Sequence, residues 1–493
     1  MNPVVRTQAG AVRGVAGDGV VSFKGIPFAA PLEGALRFQA PAPPEPWSGV
    51  RDTDSFSAAV PQRAFRPEIP SPWKPGDSTD ALSVNVWTPE LGRGGLPVMV
   101  WIYGGAWRAG HGGDPAYDGT VLARSGAVVV TFNYRVDFDG FGYLPDAPAP
   151  ANRGLLDQLA ALRWVRANIA GFGGDPDNVT VFGESAGAGT VVLLAASPDA
   201  RGLFRRAIAQ SVAGRYLRQE EARAITEMIA AELGRPATAE ALAEPPVEAL
   251  LDVQDAVLAK MAADPAGWSS PETTTAYAPV VDGETVLDMP WEAMLGGAGR
   301  EVDLLAGYNR DEFALFAPWK GFTDRDVPRV ARALGLDDAS VDAYQAAYPG
   351  ISGPNLCTLM FSDSLFRMPT VWAAEAHAAA GGRTYLYEFA WPSPVLGGAL
   401  GACHALDIPF VFGNPNSPMG TMLLGDPPPA DFHRLSEQIR RSWLSFAATG
   451  DPDWPRFTPD QALTRIWDLP PSVASDPRAA SRRIWERASQ GGE

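Results

Sequence analysis

Cysteine is nearly absent. Cys357 and Cys403 are the only two in a chain of 493 residues, too few for the disulfide framework of a small secreted scaffold. Both are expected as reduced, buried thiols, because a free cysteine behaves as a small hydrophobe. Lysine is almost as scarce: only Lys24, Lys74, Lys260 and Lys320 occur, and arginine carries most of the positive charge. The formal net charge of −17 repels a phosphate backbone and argues against nucleic acid as a partner. No apolar run reaches the roughly 18 residues that a membrane span needs. The opening MNPVVRTQAGAVRG lacks a basic start followed by an apolar stretch, so no secretory leader is expected and the cytoplasm is the expected location. Internal repeats, heptads and low-complexity tracts are also missing.

A hydrophobic share of 46% is enough for a sizeable core. VVRTQAGAVRG and VVSFKGIPFAAP resemble a hairpin with glycine-rich turns, and LSVNVWTP reads as another strand. LPVMVWIYGG and AVVVTFNY are continuous apolar runs of strand length, suited to a sheet covered on both faces. In GLLDQLAALRWVRANIAGFGG, Leu155, Leu159, Leu162, Val165 and Ile169 recur at helical spacing, and Gly171 is the expected stop. Val179 to Phe182 reads as a short strand, with a helix after Ser185. Strands return at VDLLAGYN and RTYLYEFA, helices fill 214–265 and about 324–345, and a last amphipathic helix covers DFHRLSEQIRRSWLSFAA. Alternation of strand and helix predicts the α/β class: a large, central, mostly parallel sheet flanked by helices. The proline-rich stretches 61–75, 145–150 and 415–429 read as surface loops. The whole chain, 1–493, is therefore expected as one domain, with helical cap insertions at about 214–265 and 313–380. Asn178, in an Asn-Val-Thr acceptor pattern, runs into a strand and is expected to be structural.

Chemistry concentrates at VTVFGESAGAGTVV. Gly-x-Ser-x-Gly by itself is weak in a glycine-rich chain. Here a strand enters the motif and a helix leaves it, as a nucleophile elbow requires. The turn lifts the Ser185 hydroxyl clear of the sheet, and the helix N-terminus beneath favours developing negative charge. A serine nucleophile needs a base and an orienting acid. Of the four histidines, His111 precedes the serine, against the usual order. His377 ends an alanine-rich helix and reads as solvated, and His433 opens the last helix on its surface. His404, in LGACHALDIPFVFG, is the remaining base. VDLLAGYNRDEFALF places Asp311 and Glu312 just past a strand, and either carboxylate suits the acid. VMVWIYGGAWRAG adds a strand followed by Gly104, Gly105 and Ala106, small enough for backbone amides to point into a cleft.

These segments together resemble the type-B carboxylesterases, the α/β-hydrolase group that contains bacterial p-nitrobenzyl esterases, mammalian carboxylesterases and cholinesterases. The resemblance starts at GAVRG and FKGIPFAAPLEGALRFQAP. It continues through LSVNVWTP, VWIYGGAWRAG, NYR, the run from Gly154 to Ala188, and APVVDG, and ends in FVFGN and SWLSFAATGDPDWP. It implies an α/β-hydrolase fold and a serine esterase with a Ser185–His404–Glu312 triad. The implied oxyanion donors are the amides of Gly105, Ala106 and Ala186. It implies a small-molecule ester substrate, neutral if the pocket is apolar, and no metal or organic cofactor. A neutral His404 implies activity rising through about pH 6–7, near an unperturbed imidazole. Trp107, Phe313 and Phe316, beside those positions, are candidate pocket residues.

Several positions depart from the family pattern. Phe313 stands where glycine usually follows the acid, Tyr103 where histidine often precedes the oxyanion glycines, and Ala81 where secreted relatives carry a disulfide cysteine. NYRVDFDGFG adds Asp137 and Asp139. The small Gly-Gly-Ala run leaves room near the oxyanion, and the resemblance implies that bulky alcohol esters are accepted. The departures motivate a second reading, a dedicated acyl-transfer, amide- or carbamate-cleaving, or cyclising enzyme with the same triad. A binding protein without catalysis is disfavoured because all three triad positions are filled. Oligomeric state stays open, with a monomer the simpler expectation.

Overall fold

A computed structural model describes residues 3–65, 69–92, 94–263, 268 and 275–490. The continuous apolar runs become the centre of an 11-stranded sheet. Its order is Ser472–Ser475, Leu463–Trp467, Thr384–Phe389, Asp303–Asn309, Arg206–Gln210, Gly174–Glu184, Leu96–Ile102, Val128–Phe132, Ser83–Thr88, Val20–Pro27 and Val15–Gly17. The seven strands from Leu463–Trp467 to Val128–Phe132 run parallel, and antiparallel strands close both edges. Val128–Phe132 is buried along its whole length, because helices cover both faces of a parallel sheet. The strand entering the serine motif is longer than the apolar pattern shows: Gly174 pairs with Leu96, and an irregular stretch leads from it to the regular pairing that starts at Val179. Asn178 accepts a hydrogen bond from Arg206, a structural role.

Local chemistry explains the connections. The helix Arg153–Asn168 buries Leu155, Leu159, Leu162 and Val165. Its end differs from expectation: a 3-10 turn, Ile169–Phe172, follows it, and Gly173, in the left-handed region at φ 90°, stops the chain rather than Gly171. The Arg153 guanidinium donates to the carbonyls of Phe138, Asp139, Gly142, Ala149 and Pro150. It thus holds the 145–150 stretch against the body, with Ala147 and Ala149 buried. Pro145, Asp146, Pro148 and Pro150 are exposed, as expected of a surface loop. The stretch 415–429 differs from a plain loop: it contains the helix Pro418–Leu424, with Leu423 and Leu424 buried. Of the stretch 61–75, residues 66–68 lie outside the described residues.

Helices fill the intervals between the strands Arg206–Gln210, Asp303–Asn309 and Thr384–Phe389. In the first interval, residues 264 and 265 of the expected insertion lie outside the described residues. A second hydrophobic cluster, with Phe313, Phe361, Met360 and Trp485, fills the other interval and the C-terminal helix. Two expectations fail here. Phe432–Thr449 is not the last helix, because Ala479–Gln490 follows it. His377 is not solvated: it is buried, with Nδ1 2.7 Å from Thr384 Oγ1 and Nε2 3.2 Å from the Gly299 carbonyl. The small alanines around it let its helix close on the sheet, and burial pushes its pKa down. Both cysteines are free and buried.

Candidate active site

Ser185 stands between the central strand Gly174–Glu184 and the helix Ala186–Ala196 with φ 58° and ψ −125°. A serine at positive φ is strained and persists only where its surroundings over-determine it. Here the Ser185 N–H donates to Gln210 O at 2.9 Å, and its carbonyl accepts from Gly189 N at 2.9 Å and Ala213 N at 3.3 Å. The motif glycines are required sterically: a Cβ at Gly183 would lie 2.7 Å from the Ile102 carbonyl oxygen, and one at Gly187 would land on the same atom. The strained turn is therefore wedged between two neighbouring strands.

The loop after Leu96–Ile102 reaches the serine. A Cβ at Gly104 would stand 2.9 Å from Ser185 Cβ, so the backbone passes at the closest distance a glycine permits. Tyr103 stacks on Tyr134 at 4.4 Å, and the Tyr134 hydroxyl donates to Tyr103 O at 2.7 Å, which anchors the start of this loop. Ala106 and Trp107 both sit at positive φ, 56° and 54°. Among the described residues the N–H groups of Gly105 and Ala106 make no hydrogen bond. Ala186 opens its helix, where the N–H has no intrahelical acceptor. Three unused donors therefore flank the serine, which suits an oxyanion.

The geometry separates the two candidate carboxylates. Glu312 Oε2 lies 2.6 Å from His404 Nδ1, and Glu312 Oε1 accepts from Asn309 N at 2.8 Å. The His404 N–H donates to Glu312 O at 3.1 Å. Asp311 instead accepts from Ala402 N at 2.9 Å, holding the loop that carries the histidine. His404 Nε2 faces Glu184 Oε1 at 3.0 Å, and Glu184 is the residue before the serine. Among the described residues no hydrogen bond joins the Ser185 hydroxyl to His404; such contacts are often long without substrate.

Electrostatics follow from this packing. Burial disfavours the His404 cation, but the carboxylates of Glu184 and Glu312 and the Glu312 hydrogen bond outweigh it and push His404 up to about 9. Burial pushes Glu184 up to about 8, against the pull of His404. The two titrate as a pair. An imidazole raised in this way would place the activity rise above the pH 6–7 expected of an unperturbed one.

Aromatic rings complete the surroundings. Phe316 lies 5.5 Å from the His404 ring and Phe366 only 4.1 Å away. Phe313 stacks on Phe361 at 4.5 Å within the second hydrophobic cluster, so its bulk goes into packing. Trp107 is buried, with Nε1 3.2 Å from Thr190 Oγ1, against the helix behind the serine. Sequence reasoning missed three participants. Glu184 had a signal, a carboxylate at the end of an apolar buried strand. Asp407 had a weak one, standing three residues after His404; it is buried and accepts from Gln210 Nε2 at 2.7 Å. Phe366 had none. A π-helical turn, Asp363–Arg367, delivers it from between the helices Gly353–Ser362 and Met368–Ala379, and such turns cluster at functional sites.

The family model for the carboxylesterase family matches residues 1–348 and 352–481. The para-nitrobenzyl esterase of Bacillus subtilis is 36% identical over 495 residues, covering 97% of this chain and 98% of that protein. The fumonisin B1 esterase of Sphingopyxis macrogoltabida is 37% identical over 480 residues, covering 92% and 84%. Among solved structures, the carboxylesterase EST55 of Geobacillus stearothermophilus superposes with a TM-score of 0.85 at 37% identity, covering 98% of this chain and 99% of that one. The strained serine, the free amides and the Glu–His contact thus lie in a chain that matches esterases from end to end. The chain belongs to the carboxylesterase family and is a carboxylic ester hydrolase of the α/β-hydrolase fold.

Proposed function

We propose that Ser185 is the nucleophile of this hydrolase, His404 its general base and Glu312 the carboxylate that orients the imidazole. Ser185 Oγ attacks the ester carbonyl while His404 Nε2 takes its proton. The amides of Gly105, Ala106 and Ala186 hold the oxyanion. His404 returns the proton to the departing alcohol, and water then cleaves the acyl-enzyme by the same route. The 2.6 Å contact between Glu312 Oε2 and His404 Nδ1 carries this reading. Nδ1 so engaged leaves Nε2 on the side of the elbow.

The substrate we propose is a small neutral ester, with its alcohol group against Phe316 and Phe366. Para-nitrobenzyl esters, from the name of the Bacillus subtilis relative, are the first to try. The two free thiols support a reducing, cytoplasmic setting. Hydrolysis of p-nitrophenyl butyrate by wild type and Ser185→Ala tests the assignment. The variant is expected to lose roughly 10⁴-fold or more in kcat. Equal rates in both proteins would remove Ser185 from the mechanism.

A further inference from the structure

A second buried carboxylate lies next to the oxyanion loop, outside the triad. Asp137 opens the helix Asp137–Phe141 in the left-handed region, at φ 56°. Its N–H donates to the carbonyl of Trp107 at 2.7 Å, one residue past the proposed oxyanion donors. Its carboxylate accepts from its neighbour Phe138 N at 2.8 Å and from Gln254 Nε2 at 2.8 Å. Gln254 is the first residue of the helix Gln254–Ala263 in the helical insertion. Asp137 is 1% exposed and Gln254 0%.

Two unfavourable features meet here. A non-glycine residue at positive φ is strained. A buried amide with one unused end is costly as well, and among the described residues Gln254 Oε1 has no hydrogen-bond partner. Among the described residues the only side-chain hydrogen bond of Gln254 goes to Asp137. Neighbouring contacts draw the same segments together. Arg108 in the oxyanion loop pairs with Asp255 at 3.0 Å. Arg37 pairs with Asp139 at 3.2 Å while donating to Pro245 O at 3.0 Å.

We propose that Asp137 is a positioning residue for the Gly105–Trp107 loop, and that its bond to Gln254 makes the helical insertion part of the oxyanion machinery. The insertion seats the carboxylate, the carboxylate holds its own backbone in the left-handed form, and that backbone holds the Trp107 carbonyl. With Trp107 fixed, the amides of Gly105 and Ala106 stay aimed at the serine. Burial pushes the Asp137 carboxyl up to about 7, opposed by the Phe138 N–H, Arg108 and Gln254 and reinforced by Asp139; Tyr277 also feels its charge. Gln254 can serve either protonation state, because turning its amide presents Oε1 to a protonated carboxyl.

The inference rests on the reading of Ser185 as nucleophile, so Ser185→Ala is assayed alongside. The variants are Gln254→Leu, Asp137→Ala, the double variant, and Asp137→Asn, each measured for kcat, KM and inhibition by an aryl trifluoromethyl ketone, whose serine adduct carries an oxyanion. Gln254→Leu and Asp137→Ala are each expected to lower kcat about tenfold with KM within about twofold, the split of a transition-state interaction. Ketone affinity falls in parallel. The double variant is no worse than the poorer single one, because both break one link. Asp137→Asn, whose amide meets the turned Gln254, keeps kcat within about threefold. Unchanged kcat in both single variants, or losses that multiply in the double, overturns the proposal while an inactive Ser185→Ala leaves the nucleophile standing. If Asp137→Ala does not fold, Gln254→Leu decides by the same criteria. An active Ser185→Ala overturns the nucleophile reading and this proposal together.

Discussion

His404 is held by a carboxylate on each side, Glu312 at Nδ1 and Glu184 at Nε2. As the proposed base, His404 must be neutral to accept a proton, so the field that steadies the imidazolium would also set the working pH. With His404 pushed up to about 9, kcat/KM is expected to climb through the alkaline range and not to level off by pH 7. Glu184→Gln removes one of the charges that raise the histidine. Its rising limb is expected at lower pH than in wild type, as pH–rate profiles of the two proteins will show. An unmoved limb would mean that Glu184 does not set the His404 pKa.

Elements place these residues through buried polar contacts as much as through apolar packing. Arg135, beyond the strand Val128–Phe132, meets Asp157 of the helix Arg153–Asn168 through Nε at 2.8 Å and Nη2 at 2.6 Å, and its N–H adds a third bond at 2.9 Å. Both side chains are buried, at 2% and 0% exposure. Removing one partner from such a pair leaves a buried charge uncompensated. Asp157→Asn is expected to cost about 3–5 kcal/mol of stability in equilibrium urea unfolding. This pair lies at the root of the segment that carries Asp137, so kcat is expected to fall as well.

Across the whole molecule, the C-terminal helix Ala479–Gln490 is tied back to the site. Trp485 Nε1 donates to Tyr344 Oη at 2.7 Å, and that hydroxyl donates to Asp363 Oδ2 at 2.6 Å, in the π-helical turn that presents Phe366. Just before the helix, Arg478 pairs with the buried Glu388 at 3.0 Å, and Arg310 reaches the same carboxylate at 2.7 Å. Burial opposes ionisation of Glu388, but the arginines prevail and hold its pKa below the ordinary carboxylate value. A carboxylate with a lowered folded-state pKa stabilises above its unfolded pKa of about 4.3 and loses that contribution as pH falls through its folded value. Glu388→Gln is therefore expected to melt below wild type at pH 7. The gap between the two melting temperatures is expected to narrow below about pH 4.

The fold class was legible because its signals are local. Val98 to Ile102 and Val128 to Phe132 are continuous and β-branched, and only a two-sided sheet buries such runs. The serine elbow was legible for the same reason: strand, Gly-x-Ser-x-Gly and helix are contiguous in the chain. The sequence by itself therefore determined the sheet and the strand–turn–helix around Ser185. The choice between Asp311 and Glu312 stayed open on the residues alone, and only the family resemblance favoured Glu312. In the fold the adjacent side chains diverge, one to His404 and one to Ala402. Phe366, the burial of His377, the carboxylate at His404 Nε2 and the Asp137–Gln254 bond depend on residues far apart in the chain. Only the tertiary structure decided these, because proximity and desolvation arise when separate elements pack, and no local pattern encodes either.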